Sequence, residues 1–100
     1  MKLGILVNTD RHAKHIIGLT KAAVKKGHEV NIFIMDTGVK LLNNPSITRL
    51  CSSPGVSMSY CDYSIMRSGF SMEKCPDEIV RGSQYDNSTM QHEADRVIVL

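Results

Sequence analysis

The sequence predicts an α/β protein with three layers, α/β/α, built on an open and mostly parallel sheet of four or five strands. The first apolar segment, residues 3–7, is nearly continuous rather than alternating, which is typical of a strand covered by helices on both faces. Strand and helix patterns then alternate along the chain, as they do where helices connect parallel strands. The length and composition fit one domain, which we expect to span residues 1–100.

The first βαβ unit is predicted in residues 3–35. Polar residues at 8–10 suit the cap of a helix, and apolar side chains recur at helical spacing from Ala13 to Gly27. Gly27 is a natural helix end. β-Branched and aromatic residues at 30–35 predict the second strand.

The middle of the chain predicts a short helical turn at residues 39–43 and a helix over residues 44–51, opened by a proline at its first turn. Apolar and serine residues alternate at 56–60, which predicts a third strand with one face less apolar than the other. Cys61 falls at the carboxyl end of this strand.

The last part of the chain predicts a helix over residues 62–69, a loop at 70–77 and a short strand at 79–80. Residues 83–94 fit a helix. Residues 96–100 are apolar after the first, and we expect a final buried strand there.

Charge and aromatic content argue against a nucleic-acid partner. The net charge of +2 comes from 12 basic and 10 acidic residues spread along the chain. The densest basic cluster, Lys21, Lys25 and Lys26, lies near a predicted helix end, where lysines complement the helix dipole. A nucleic-acid surface needs aromatic side chains among its basic residues, and none occurs there.

Hydropathy and cysteine content predict a cytoplasmic protein. No apolar stretch approaches the roughly 20 residues that span a bilayer, and residues 1–7 are too short for a secretory signal. We therefore expect no membrane partner. Three cysteines, an odd number, do not form a disulfide framework, so we expect thiols.

The carboxyl ends of the predicted strands are the expected binding region, because ligands of open parallel sheets bind there against helix N-termini. Cys61 is the only nucleophile at these ends. A cysteine that precedes a helix has a stabilised thiolate and a lowered pKa, which predicts a reactive thiol. The alternative is a small buried apolar residue without chemistry. The expected ligand-binding residues at the same edge are Asn8, Thr9, Asp36, Thr37, Asp62, Tyr63, Ser64 and Ser83.

The other thiols and the histidines offer weaker candidates. Cys51 is expected to pack in the core, whereas Cys75 lies in a loop and is either incidental or a resolving thiol for Cys61. His12 and His15 lack the spacing of a zinc helix and a third ligand, so we predict no metal. His12 is either a solvated side chain or a proton donor and acceptor at the Cys61 edge.

Motifs for other chemistries are missing. The first strand is not followed by Gly-x-Gly-x-x-Gly, and no Walker loop or Gly-x-Ser-x-Gly elbow occurs. We therefore expect no nucleotide and no other cofactor.

The order of these segments resembles the DsrE/DsrF-like family over nearly the whole chain. The opening strand, the junction before the second strand, and the aspartate and Gly-Val that follow it are similar to family features. Pro-Gly-Val, Tyr-Cys before a helix closed by glycine, and a final apolar strand complete the resemblance. The matching segments are residues 3–7, 22–30, 33–39, 54–56, 60–69 and 93–99.

The resemblance implies a DsrE- and flavodoxin-like sheet, and it implies that Cys61 is the sulfur acceptor of a sulfur relay. Cys61 would carry sulfane sulfur as a persulfide between donor and acceptor proteins, with the amides of Asp62, Tyr63 and Ser64 stabilising the anion. The resemblance also implies a homotrimer or homohexamer. It leaves open whether the protein is a carrier or a thiol-dependent enzyme.

The sequence leaves two alternative functions open. The first is a non-catalytic, oligomeric module whose strand-end crevice binds a small ligand through Asn8, Thr9, Thr37 and Ser83 or forms a subunit contact. The second is a redox switch formed by Cys61 and Cys75.

Overall fold

Five strands form one fully parallel sheet in the computed structural model, which describes residues 1–100. The strands lie in the order β4-β3-β2-β1-β5. Their bounds are Lys2–Val7 for β1, Glu29–Ile34 for β2, Val56–Cys61 for β3, Val80–Gly82 for β4 and Arg96–Val99 for β5. The predicted fold class, an open parallel α/β sheet of four or five strands, is confirmed.

Four α-helices and two 3₁₀ helices connect the strands. The α-helices are α1 (Ala13–Lys25), α2 (Pro45–Thr48), α3 (Asp62–Ser68) and α4 (Gln84–Glu93). The 3₁₀ helices are Asp36–Asn43, after β2, and Arg49–Ser52, before β3. None of the helices combines the length and the apolar character needed to cross a membrane.

The connections distribute the helices unevenly over the sheet. The first three connections step outward from β1 to β4, whereas the fourth returns from β4 to β5 across the whole sheet. Right-handed crossovers therefore place α4 on the opposite face from α1, α2 and α3. At Gly4 of β1 an added Cβ would clash with the sulfur of Met90, which shows how closely α4 packs on that strand.

The two faces carry different cores. The larger core lies under α1 and α2 and includes alternate residues of the central strands, such as Ile5, Ile32 and Met58. The smaller core lies under α4 and consists of Phe33, Cys61 and Met90. Cys61 therefore belongs to the α4 face of the sheet.

Two predicted helical segments differ in detail from the structure. The turn expected at residues 39–43 begins earlier, at Asp36, as a 3₁₀ helix. The helix expected over residues 44–51 is α-helical only for Pro45–Thr48 and then tightens to the 3₁₀ helix. Asn44 caps this segment by accepting a 3.0 Å hydrogen bond from the Ser46 N–H.

The prediction of a buried final strand is wrong. β5 pairs only with β1, so it is an edge strand, and α4 packs over β1 and β2 rather than over β5. Val97 and Val99 are 38% and 56% exposed. The apolar residues that suggested burial therefore lie on an open edge of this chain.

Helix ends agree with the turn chemistry read from the sequence. Gly27 and Gly69, which follow α1 and α3, have φ angles of 82° and 66°, a region that glycine occupies without a Cβ clash. Ser83 caps α4 in a capping box with Asp86.

Candidate functional site

Cys61 is the last residue of β3 and directly precedes α3. Its side chain is only 3% exposed and packs in the small core under α4. Gly82 of β4 is its partner in the parallel register. The thiol thus lies at the carboxyl edge of the sheet, covered by the start of α4.

The thiol borders a cavity of about 530 Å³, which we call the thiol cavity. The ends of three strands and the starts of two helices enclose it. Its lining residues are Met35, Asp36, Cys61, Asp62, Tyr63, Ser64, Met66, Gly82, Ser83 and Gln84. Cys61 lines this space, although the residue is almost hidden from bulk solvent.

Burial alone would raise the pKa of the Cys61 thiol, but hydrogen bonds outweigh it and the pKa is lowered. The donors are the hydroxyl and backbone N–H of Ser64, the side-chain amide of Gln84 and the backbone N–H of Tyr63. Hydrogen bonds to the charged form favour it over the neutral form. The site therefore stabilises the thiolate, which is the state of a cysteine that acts as a nucleophile.

Ser64 is held in position for this role. Its side chain is buried, and its oxygen accepts a 2.9 Å hydrogen bond from the backbone N–H of Asp36. Because that bond occupies a lone pair of the oxygen, the hydroxyl hydrogen remains available to point at the Cys61 sulfur. The Asp36 N–H, just after β2, thus orients the Ser64 hydroxyl of α3.

Asp36 adopts a left-handed backbone conformation, with φ at 51°, and no other non-glycine residue does so. Aspartate tolerates this region better than most residues, since its short polar side chain makes local hydrogen bonds. The conformation turns the chain sharply from β2 into the 3₁₀ helix and directs the Asp36 N–H toward Ser64.

Gln84 reaches the thiol because α4 begins close to β4. The Asp86 carboxylate accepts a 2.7 Å hydrogen bond from the Ser83 N–H and closes the capping box. A Cβ on Gly82 would lie 2.6 Å from an oxygen of that carboxylate, so the capping-box side chain packs directly on the backbone of β4. The Gln84 amide also lies 3.7 Å from the Met35 sulfur at the cavity wall.

A second cavity of about 390 Å³ adjoins the first, and we call it the cationic groove. It lies between the first 3₁₀ helix and α3. Its lining residues are Asp36, Thr37, Val39, Lys40, Tyr63, Ser64, Arg67 and Ser68. Three of these residues, Asp36, Tyr63 and Ser64, also line the thiol cavity.

The structure brings together most of the predicted ligand-binding residues. Seven of the nine predicted site residues line one or both cavities: Asp36, Thr37, Cys61, Asp62, Tyr63, Ser64 and Ser83. Asn8 and Thr9 line neither. The Thr9 hydroxyl instead donates a 3.2 Å hydrogen bond to the Leu100 carbonyl, which ties the end of β1 to the end of the chain.

Gln84, Lys40 and Arg67 line the cavities but are not among the site residues predicted from the sequence. The two basic residues had a detectable signal, because Lys40 follows Asp36 by four positions and Arg67 follows Tyr63 by four, the spacing of neighbours on a helix face. Gln84 had none beyond its place after a helix cap, since its contact with Cys61 joins residues far apart in the chain.

The other thiols lie on the far side of the sheet from Cys61. Cys51 and Cys75 pack against the larger core, under α1 and α2, and all three cysteines are free. Burial raises the pKa of Cys75, with a further contribution from Cys51. The structure thus gives no support to a switch between Cys61 and Cys75.

The histidines stand apart from the thiol cavity. His12 and His15 contact each other edge to face, with ring centroids 5.8 Å apart, and neither lines the cavity. No group of three or more His, Cys, Asp or Glu side chains is placed to hold a metal ion.

A third cavity of about 260 Å³ lies at the opposite edge of the sheet. The amino ends of the central strands and the last turn of α4 enclose it, with Lys2, Glu29 and Glu93 among its lining. No cysteine lines it.

Fold and site together define an open parallel α/β protein with a nearly buried cysteine at the end of its third strand, beside a cavity. The whole sequence, residues 1–100, matches the DsrE/DsrF-like family. The chain belongs to that family. Among curated proteins, none matches the sequence.

Solved structures show the same fold at low sequence identity. A protein of unknown function, MTH1491 from Methanobacterium thermoautotrophicum, is 14% identical with a TM-score of 0.80, and the match covers 99% of this chain and 98% of that one. The ychN protein from E. coli is 13% identical with a TM-score of 0.72, covering 99% and 97%. At these identities the likeness shows the fold alone.

Proposed function

We propose that the protein accepts sulfane sulfur on Cys61 as a persulfide and passes it to an acceptor thiol. The observation that carries this proposal is the place of Cys61, at the end of β3 and at the wall of a cavity with room for a small molecule, where neighbouring donors lower the pKa of its thiol. Membership of the DsrE/DsrF-like family supports a function of the sulfur-relay type.

Two displacements make up the cycle. The Cys61 thiolate attacks the outer sulfur of a sulfane donor, forms a new S–S bond and releases the donor's remaining group with the electron pair of the broken bond. An acceptor thiolate then attacks the outer sulfur of the Cys61 persulfide, and Cys61 leaves as a thiolate. Neither step needs an oxidant, a metal or a cofactor.

The cavity residues have separate roles in this cycle. Ser64, Gln84 and the Tyr63 N–H stabilise the thiolate before attack and again when it leaves. The persulfide places the transferable sulfur about 2 Å beyond the Cys61 sulfur, the length of an S–S bond. The transferable sulfur would therefore stand farther from the protein backbone than the nearly covered Cys61 sulfur.

The surface around the mouth suits a macromolecular acceptor. Tyr63 and Met66, which line the cavity, are 64% and 71% exposed, and Tyr85 beside Gln84 is equally open. Exposed aromatic and methionine side chains are typical of protein contacts. We therefore propose a protein as the sulfur acceptor, and we place the cycle in the cytoplasm, where free thiols persist.

We also propose that the chain forms a homo-oligomer, a trimer or hexamer as its family resemblance implies. The exposed valines of the edge strands, Val80, Val97 and Val99, support a contact between copies, because such edges invite association when uncovered.

The test is transfer of labelled sulfur to the purified protein, located by mass spectrometry. We expect one sulfur on Cys61, no label in Cys61→Ser, and undiminished label in the control variants Cys51→Ser and Cys75→Ser. Equal labelling of the Cys61→Ser variant would contradict the proposal. The remaining function would then be a non-catalytic module that binds a small ligand in the same cavities.

A further inference from the structure

We propose that the cationic groove is an anion-binding subsite, which holds the negatively charged end of the sulfur donor while its sulfane sulfur lies at Cys61. The inference rests on the proposed function for the identity of the ligand. It assigns Lys40 and Arg67 to ligand binding and predicts that the donor is a small anion.

The two cavities adjoin each other. They share Asp36, Tyr63 and Ser64, and the Ser64 hydroxyl that stabilises the Cys61 thiolate lies at their boundary. Because the Cys61 side chain is only 3% exposed, a donor must insert its sulfur into the thiol cavity. The rest of a small donor then has the adjoining groove as its nearest enclosed space.

The charges in the groove favour an anion. Lys40 and Arg67 are both exposed and form no ion pair, since the only salt bridge in the structure joins Arg81 to Asp62 at 2.8 Å. Asp36 is the one carboxylate in the groove, so two cations face a single anion. An unpaired guanidinium and an unpaired ammonium beside a concave surface attract carboxylate or oxoanion ligands.

Arg67 is partly pre-positioned for this contact. Its guanidinium carbon lies 5.8 Å from the centre of the Tyr63 ring, in a cation–π contact. This stacking restricts a long side chain at the boundary of the two cavities. Across the groove, Thr37 adds a hydroxyl donor beside Lys40, and the buried Val39 forms part of the wall.

The subsite also suits the reaction. When the Cys61 thiolate attacks the sulfane sulfur, the S–S bond of the donor breaks and its charged part leaves with the electron pair, as sulfite from thiosulfate or as a thiolate from a carboxylate-bearing persulfide. Negative charge grows on that leaving part. Cations that already hold it stabilise the charge as it develops.

Binding is tested in the full-length Cys61→Ser protein, which cannot react, by nuclear magnetic resonance of the ¹⁵N-labelled chain at constant ionic strength. Thiosulfate and glutathione serve as separate probes, so that an oxoanion donor is distinguished from a carboxylate-bearing one. We expect saturable shifts of the Thr37, Lys40 and Ser68 amides with at least one probe.

Charge-removing variants identify the subsite. Lys40→Gln and Arg67→Gln should each weaken binding about two- to fivefold, the range of exposed charge contacts, with a larger loss in the double variant. Arg67→Lys should retain part of the affinity. Lys25→Gln and Arg49→Gln, which remove exposed charges outside the groove, should bind as the parent does.

Equal loss in the groove variants and the controls, or no saturable shift with either probe, would overturn the subsite. Failure of the proposed function would look different. Anion binding in Cys61→Ser would then persist and depend on Lys40 and Arg67, while the parent protein took no sulfur on Cys61.

Discussion

At the scale of single residues, the environment of Cys61 decides its chemistry. A thiol that is 3% exposed would ordinarily be an inert apolar side chain. Here donors from two helices act against the effect of burial, and the pKa is lowered. The same residue type at Cys75 lacks those donors, and burial raises its pKa. Donor geometry rather than burial separates the two thiols.

Alkylation of the three cysteines as a function of pH tests this contrast. Because the pKa of Cys61 is lowered, its thiolate fraction, and hence its alkylation rate, should reach half-maximum at a lower pH than that of Cys75. Iodoacetamide modification, read site by site by mass spectrometry, measures both midpoints. A Cys61 midpoint at or above that of Cys75 would contradict the hydrogen-bond explanation.

Removal of the Ser64 hydroxyl tests the leading donor. Ser64→Ala should move the Cys61 midpoint to higher pH, because the thiolate loses a hydrogen bond. Ser68→Ala is the matched control on the same helix, since that hydroxyl donates to the Ile65 carbonyl instead. A shift of the same size in both variants would assign the effect to α3 as a whole.

Thr20 offers a stability test at the same scale. Its hydroxyl is buried in α1 without a hydrogen-bond partner. Thr20→Val should therefore raise the free energy of unfolding by about 1 kcal/mol, the cost of an unsatisfied buried polar group. In the control Thr48→Val, the lost hydroxyl donates to the Pro45 carbonyl, so we expect no gain. Urea denaturation measures both.

At the scale of elements, close packing at glycines positions the helices that build the site. Gly38 in the first 3₁₀ helix lies against the end of β1, where an added Cβ would be 2.8 Å from the Val7 carbonyl oxygen. Gly18 in α1 is exposed, with open space around it. A glycine-to-alanine substitution should therefore have opposite effects on stability at these two positions.

Gly38→Ala should lower the free energy of unfolding by about 1–3 kcal/mol, because a backbone atom must move to admit the methyl group. Gly18→Ala should raise it by about 0.5–1 kcal/mol through helix propensity. Denaturation midpoints of the two variants, compared with that of the parent protein, test both expectations. A destabilised Gly18→Ala protein would show that the exposed face of α1 is engaged in another contact.

The periodicity of apolar residues predicted the strands and the long helices. Side chains that recur at a period of 2 or 3.6 face a core whatever that core contains. This periodicity did not predict the change from α to 3₁₀ geometry at Arg49. Nor did it predict the left-handed Asp36 that sets the Ser64 contact.

At the scale of the whole molecule, the sheet leaves apolar surface uncovered. α4 is the single helix on its face and covers the centre of the sheet, so valines at both edges remain exposed. Exposed apolar edges of this kind are prone to association. In the proposed homo-oligomer another copy would cover them, which would reconcile the apolar sequence of β5 with its exposure in one chain.

Self-association should therefore depend on the sheet edge. Sedimentation equilibrium of the purified protein is expected to show a trimer or hexamer, and Val99→Lys should shift the distribution toward the monomer. Ala22→Lys, on the exposed face of α1, is the control for an added charge. A parent protein that remains monomeric at all concentrations would contradict the proposed assembly.

The sequence by itself determined the fold class, the parallel strands, the family resemblance and the place of Cys61 at a strand end. These features follow from local patterns, because side-chain periodicity and turn residues act over a few positions along the chain. Seven of the predicted site residues came together for the same reason, since parallel strands bring their carboxyl ends to one edge.

Only the tertiary structure decided the rest. The Gln84 contact joins residues 23 positions apart through the packing of α4. The placement of Lys40 and Arg67 along one groove depends on how α3 lies against the first 3₁₀ helix. The exposure of β5 follows from the path of one crossover. Each feature depends on how segments distant in the sequence pack against one another.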